Sequence, residues 1–252
     1  MPAASIDLNA DLGEGFGPWR MGDDEALLGI VSSANVACGF HAGDPLTMAR
    51  VCASAAAKGT RVGAHVSWRD LEGFGRRDMQ LSPEQLHAEL VNQIGALVAH
   101  ARVAGTTVSY VKAHGMLYNR AHTDAVTADC IVRAVADVDP SLVVLSQPGS
   151  AVVALAAAAG LTIAAEGFAD RAYLPTGQLM PRSRAGSMLG VEEAVAQAVR
   201  LATEQTVGTQ DGPIPMAVAT ICLHGDSPDA VALARRIRTE LEAAGTAIRP
   251  FT

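Results

Sequence analysis

Four of the seven histidines stand at the end of an apolar run: His41 after Ala34–Cys38, His65 after Arg61–Ala64, His114 after Val108–Lys112, and His224 after Met216–Cys222. Imidazole titrates near neutrality and is a common metal ligand, so four such ends suggest one site assembled from distant segments. Asp7, Asn9 and Asp11 alternate along the first run and therefore share one face of a strand. Carboxylates on one face repel unless they share a proton, bind a cation or meet a basic side chain. The run leads through Gly13 to Glu14. Lys112 sits inside an apolar run, where an unpaired ammonium is costly, so it should reach an acidic partner. Asp7 and Asp11 are the candidates, and acid–base work is a second role for the amine.

The remaining candidates lie just beyond these runs. Arg76 and Arg77 follow Gly73-Phe74-Gly75, where they either clamp a carboxylate or phosphate or stay as a solvated pair. Tyr118 and Asn119 follow His114. Glu166 ends a strand, and Asp170 and Arg171 open a long segment that carries Arg182 and Arg184. Those two arginines fit either an anion grip or a subunit contact. Asp44 before Pro45 reads as a helix cap. His224-Gly225-Asp226-Ser227-Pro228 repeats the order of His41-Ala42-Gly43-Asp44-Pro45. There is no GxxxxGK[ST], GxSxG or HExxH, so a P-loop, a serine elbow and a zincin helix are excluded. Any metal would need ligands gathered from separate strand ends, which spacing leaves open.

Positioning these residues takes a frame of alternating strands and helices. Strands are expected at Ile6–Leu8, Ala34–Cys38, Arg61–Ala64, Val108–Lys112, Leu142–Leu145, Thr162–Ala165 and Met216–Cys222. Helices are expected at Pro45–Lys58, from Ser82-Pro83 to about Ala104, and at Ala125–Ala136, Ser150–Ala159, Val191–Gln205 and Ser227–Ala244. Glycines 59, 105, 160 and 245 close four of them. Seven βα units, with room for an irregular eighth, predict an α/β fold: a single seven-stranded TIM-like (β/α) barrel over residues 1–252. An open doubly wound sheet is the alternative, but it gathers its polar residues at one switch point. The long connections 66–81 and 166–189 read as functional loops or lids, and 206–215 as a plain connector.

Composition agrees. Of the 252 residues, 49% are hydrophobic and only 4% aromatic, which suits close packing of small aliphatic side chains between helices and strands. A net charge of −7 argues against nucleic acid as a partner. No apolar stretch is long enough to span a bilayer, and the Met1–Ser5 start shows no export signal. Cys38, Cys52, Cys130 and Cys222 are far apart, and reduced buried thiols in a cytoplasmic protein are expected.

Together the stretches DLNADLGEGFG, ANVACGFHAGDP, GAH with GFGRR, VKAHGMLYN, EGFADRAY and HGDSP resemble the LamB/YcsF family over nearly the whole chain. Val66 and Trp68 stand where the family usually has Pro and Tyr, and Ala113 where it usually has Pro. The resemblance implies a barrel related to polysaccharide deacetylases and ATP-dependent opening of 5-oxoproline to L-glutamate, with partner subunits B and C. Mg²⁺ would accompany the nucleotide. Phosphorylating the amide oxygen would turn it into a leaving group. The implied catalytic set is Asp7, Asp11, His41, His65, Lys112, His114, Glu166 and His224. The implied substrate-binding set is Asn9, Glu14, Arg76, Arg77, Tyr118, Asn119, Arg171 and Asp226. Within these, Arg76, Arg77 and Arg171 would grip anions, and a base would come from Asp11, His65, His114 or Glu166. An acid would come from His224 or Lys112. Without a P-loop, ATP would bind by another kind of site here or on the partners. Two rival readings are a metal-dependent amide or N-acetyl hydrolase and a non-catalytic 5-oxoproline-binding subunit.

Overall fold

The first strand, β1 (Ser5–Leu12), turns Ile6, Leu8, Ala10 and Leu12 into the large hydrophobic core and leaves the alternate Asp7, Asn9 and Asp11 for the inside. A computed structural model of the chain describes residues 5–225 and 229–252. Asp226 and the expected Ser227 helix start lie outside the described residues, as do residues 1–4. In chain order the elements are α1 (Asp24–Leu28), β2 (Ser33–Ala37), α2 (Pro45–Lys58), β3 (Arg61–Val66), α3 (Pro83–Val103), β4 (Val108–Ala113), α4 (Gly115–Ala121) and α5 (Ala125–Val138). They continue with β5 (Val143–Ser146), α6 (Ala151–Ala158), β6 (Ile163–Phe168), α7 (Val191–Thr203), β7 (Thr206–Thr209), β8 (Gly212–Pro215), β9 (Thr220–Leu223), α8 (Ala230–Ala243) and β10 (Ala247–Ile248).

Parallel pairing runs β1-β2-β3-β4-β5-β6-β9, and β9 pairs back onto β1, so seven strands close a barrel. All seven are those expected from the apolar runs. The irregular eighth unit is β10, which pairs only with Ser5 and Ile6 below the β1–β9 contact. The segment read as a plain connector is instead the antiparallel β7–β8 hairpin.

Helix starts follow local chemistry. Asp44 accepts a hydrogen bond from the Thr47 amide with Pro45 in the first turn, and Ser82 and Gln85 form a capping box on α3. Leu90, Ile94 and Leu97 of α3 are fully buried against the barrel. Truncating any one of them would cost about 2–5 kcal/mol. Gly63 makes room inside the barrel, because a Cβ there would collide with the Tyr110 ring. Tyr110 forms its own small cluster with Val143, Leu145 and Ala164, packed by Phe251 at 5.1 Å between ring centroids. All four cysteines are free and buried. Among the described residues, no helix is long and apolar enough to cross a membrane.

Candidate active site

Inside the barrel, beside the Tyr110 cluster, polar side chains from β1, β2 and β4 stack toward the carboxyl ends of the strands. At its lower end Asp7 accepts hydrogen bonds from Ser32 Oγ (2.6 Å), Ser33 Oγ (2.7 Å) and Thr220 Oγ1. Burial pushes its carboxyl up to about 6 despite those three donors. Asp7 does not line the cavity described below and meets these three hydroxyls instead. One layer higher, Asn9 donates to Thr220 Oγ1 (2.6 Å) and accepts from Asn35 (2.6 Å), which also donates to Asp11 Oδ1 (2.8 Å). Tyr110 caps the layer with a 2.7 Å bond to Asn35 Oδ1.

Lys112 crosses this layer, fully enclosed. Its Nζ lies 2.7 Å from Glu166 Oε1 and 3.2 Å from Asp11 Oδ1. It also donates to Cys222 Sγ at 3.0 Å. Burial pulls the amine down, but Asp11, Cys222 and Glu166 outweigh it and hold Lys112 well above the usual lysine range. Of the two expected partners it therefore takes Asp11, and Glu166 replaces Asp7. Asp11 is pushed up by burial and down further by His65 and Lys112, and it ends well below the ordinary carboxylate range.

Two groups face each other above Lys112. On one side Glu14, His41, His65 and His114, all buried, place one potential ligand atom each within 4.8 Å of all the others. His41 and His114 stack at 3.8 Å, and burial drives both well below the usual histidine range, so both are neutral at pH 7. The loop after β3 seals this group. His114 Nε2 lies 2.9 Å from the Phe74 carbonyl, and Gly75 (φ 64°) passes so close that a Cβ would collide with Ser67 Oγ and sit 2.9 Å from both His114 and His41.

On the other side His224 Nδ1 donates to Asp170 (2.8 and 3.0 Å to its two oxygens), and Arg182 Nη2 donates to His224 Nε2 at 2.8 Å. A guanidinium cannot accept, so Nε2 carries the lone pair and the proton sits on Nδ1. Phe168 stacks on the ring at 5.8 Å. Asp170 is raised by burial but lowered more by His224, and it ends below its ordinary value, ionised. Arg171 is buried, held by the carbonyls of Met180 (2.6 Å) and Ser187 (3.3 Å). Burial, with Arg182 nearby, pulls its pKa down to about 10, still a cation at neutral pH.

Between the two groups lies a cavity of about 540 Å³. Its lining includes Asp11, His65, Lys112, His114, Tyr118, Asn119, His224 and three arginines, Arg76, Arg171 and Arg182. Of the other expected residues, Asn9 and Glu166 lie beneath it and Glu14 and His41 behind its histidine wall. Arg77 is a correction: its guanidinium is tied to Asp70 and Glu72, its side chain is 57% exposed, and it takes no part in the cavity. The Asp170–His224 contact is absent from the expectations above, although the register contains it. Phe168 pairs with Cys222 across β6 and β9, so residues two places on, Asp170 and His224, also meet.

A profile of the LamB/YcsF family matches residues 6–252. The chain belongs to the LamB/YcsF family. It is 53% identical over 247 residues to the 5-oxoprolinase A subunit of Nocardia farcinica, covering 98% of this chain and 99% of that one. It is also 53% identical over 250 residues to a 5-oxoprolinase A subunit of Agrobacterium fabrum, covering 98% of each. The lactam utilization protein of Thermus thermophilus superposes with a TM-score of 0.93 at 43% identity, over 98% of this chain and all of that one. The barrel of this LamB/YcsF protein is also that of a Streptomyces lividans family 4 carbohydrate esterase, at a TM-score of 0.52 and 14% identity, a likeness of fold alone (100% of this chain, 95% of that one).

Proposed function

We propose that this chain is the A subunit of a 5-oxoprolinase and opens the lactam of 5-oxo-L-proline to L-glutamate with ATP hydrolysis, together with subunits B and C. In this reading residues 1–252 serve as one catalytic domain. Full-length identity to curated A subunits supports the substrate, and the wall of the cavity supports the chemistry. The single observation that carries the reading is the meeting of the Asp170-anchored His224 with Arg76, Arg171 and Arg182 on one cavity.

An unstrained five-membered lactam is a poor electrophile. Bound ATP with its Mg²⁺ would supply phosphorylation of the carbonyl oxygen. The three guanidiniums suit the anionic oxygens of that nucleotide and of the substrate carboxylate. His224 Nε2 serves as the base that takes a proton from the attacking water, once substrate displaces Arg182 from it. Asp170 holds the Nδ1 tautomer and stabilises the imidazolium that forms. The same proton then passes to the nitrogen as the C–N bond breaks, which leaves an acyl phosphate at the former lactam carbon, and a second water releases inorganic phosphate to give the glutamate carboxylate. Lys112, held as a cation by Asp11 and Glu166, keeps its proton and acts by charge rather than by transfer. Phe168 and Tyr118 form the apolar wall that keeps bulk water out.

Reconstitution tests this reading: the chain with its B and C partners, ATP, Mg²⁺ and 5-oxoproline should yield glutamate and ADP, and omitting any one component should stop both. Full turnover without this chain would overturn it. The Glu14–His41–His65–His114 cluster favours a second reading, metal-dependent amide hydrolysis. That reading predicts hydrolysis by the metal-loaded chain alone, without ATP. The third possibility, a binding-only role, predicts 5-oxoproline affinity with turnover insensitive to His224.

A further inference from the structure

We infer that Glu14, His41, His65 and His114 form a binding site for one divalent transition-metal ion of the zinc class, separate from any Mg²⁺ that accompanies a nucleotide. The inference does not depend on the reaction proposed above.

The first argument is the placement of lone pairs. His114 Nε2 faces the Phe74 carbonyl at 2.9 Å and must donate to it, which leaves Nδ1 bare. That Nδ1 faces His65 Nε2 at 3.0 Å and Glu14 Oε1 at 3.4 Å. His65 Nδ1 in turn faces the Lys112 carbonyl at 3.3 Å. His65 Nε2 also lies 3.3 Å from Asp11 Oδ1, so the ring either carries a second proton or, in either neutral tautomer, points one bare nitrogen at another acceptor. If Nδ1 carries the proton, Nε2 opposes His114. If Nε2 carries it, Nδ1 opposes the carbonyl. A cation among the inward atoms removes the conflict: His65 and His114 donate outward to backbone carbonyls and present bare nitrogens inward. Metal-ligating histidines are held in this way by their outer hydrogen bonds.

The second argument is size. Four ligands at about 2.0–2.1 Å around a tetrahedral ion stand roughly 3.3 Å apart. The successive separations here are 3.0 Å (His65 to His114), 3.4 Å (His114 to Glu14) and 3.4 Å (Glu14 to His41). Three imidazoles and one carboxylate select zinc-class ions over Mg²⁺ or Ca²⁺, which take oxygen donors. The donors come from the ends of β1, β2, β3 and β4, so a bound ion staples four consecutive strands at the rim.

The experiment uses the full-length chain, stripped with chelator and titrated with Zn²⁺ or Co²⁺ alone. One ion should bind per chain by equilibrium dialysis, and Co²⁺ should show the intense visible absorption of a four-coordinate ion. Zn²⁺ at about 100 times its Kd should raise Tm by roughly 5–11 °C. The near-isosteric Glu14→Gln and His114→Ala should each weaken binding by about 100-fold or more, whereas His87→Ala, on the outer surface, should not. Absence of a stoichiometric ion would overturn the inference and leave a shared proton as the bridging cation. So would unchanged affinity in Glu14→Gln, which would place the ion elsewhere. None of these readouts needs substrate or partners, so they stand or fall apart from the turnover assay.

Discussion

The two walls of the cavity are built on opposite electrostatic plans. The wall from β1–β4 is backed by electron-rich atoms: His65 and His114 line the cavity, and a glutamate oxygen and His41 stand buried close behind them. The wall from β6, β9 and the loop between β6 and α7 turns donors inward: Arg171 and Arg182, with His224 held by Asp170. On the readings proposed above, the first would hold a cation and the second would receive anionic oxygens. The strand ends of the first wall are sealed by the 67–82 loop, whose Gly75 leaves no room for a side chain. In the second, Arg182 lies in an exposed part of its loop yet bonds His224 Nε2, the nitrogen that the proposed chemistry would need free. The two sides of one barrel mouth thus differ in how closely their loops are packed.

The largest effect expected from breaking this contrast is at the second wall. His224→Ala should lower glutamate formation in the reconstituted enzyme by about 10²–10⁴-fold. Asp170→Asn should also lower kcat and change its pH profile, because the amide no longer fixes the Nδ1 proton. Arg171→Ala should act next, raising the KM for 5-oxoproline or ATP by about 10-fold or more while the Tm falls, since its guanidinium also ties two loop carbonyls. Gly75→Ala tests the first wall. Strain at positive φ together with the clash on His41 and His114 should cost about 1–3 kcal/mol, read as a lower Tm, and should disturb metal binding more than the KM for 5-oxoproline.

Asp7→Asn probes the floor beneath both walls. Below about pH 4 the Asp7 carboxyl is protonated in folded and unfolded chains alike. Between its ordinary value of 3.8 and about 6, the folded chain keeps a proton that the unfolded chain has lost. Stability therefore falls as pH rises through that window, by up to about 3 kcal/mol, and the cost is complete above it. Denaturation of Asp7→Asn at stepped pH should lose this component. An unchanged slope would mean that Asp7 ionises normally. The smallest effect is expected for Arg77→Ala, whose exposed side chain bonds the neighbouring Asp70 and Glu72. Turnover and KM should not move, in contrast with Arg76→Ala on the cavity.

The frame was legible because each barrel strand announces itself twice, by an apolar run and by a polar residue just past it. The β7–β8 hairpin was not, because Gly208, Gly212, Pro213 and Pro215 hide a short strand pair behind turn-forming residues. Short α4 is equally hidden, since Gly115 at φ 59° opens it with no side-chain cap. Alternation placed Asp7, Asn9 and Asp11 on the inner face, but parity says nothing of height. Asp7 lies four residues, roughly 13 Å, below Asp11, and so meets hydroxyls instead of the cavity. Neighbouring arginines show the same limit. Arg76 and Arg77 are equivalent in composition, and only the fold of the loop onto Asp70 separates them. The Asp170–His224 pair needed strand register, which a single chain read in order does not display.

The polar lining of the barrel also bears on how the chain is made. Asn9 meets its Thr220 partner only after 211 further residues, so β1 must wait for β9 with one edge unpaired. A half-built sheet usually exposes a greasy inner surface, which invites misassembly. Here that surface carries Asp7, Asn9, Asp11, Asn35 and Lys112, groups that water solvates well until the final strand arrives. The side chains that later frame the reaction thus keep the nascent sheet wettable during synthesis.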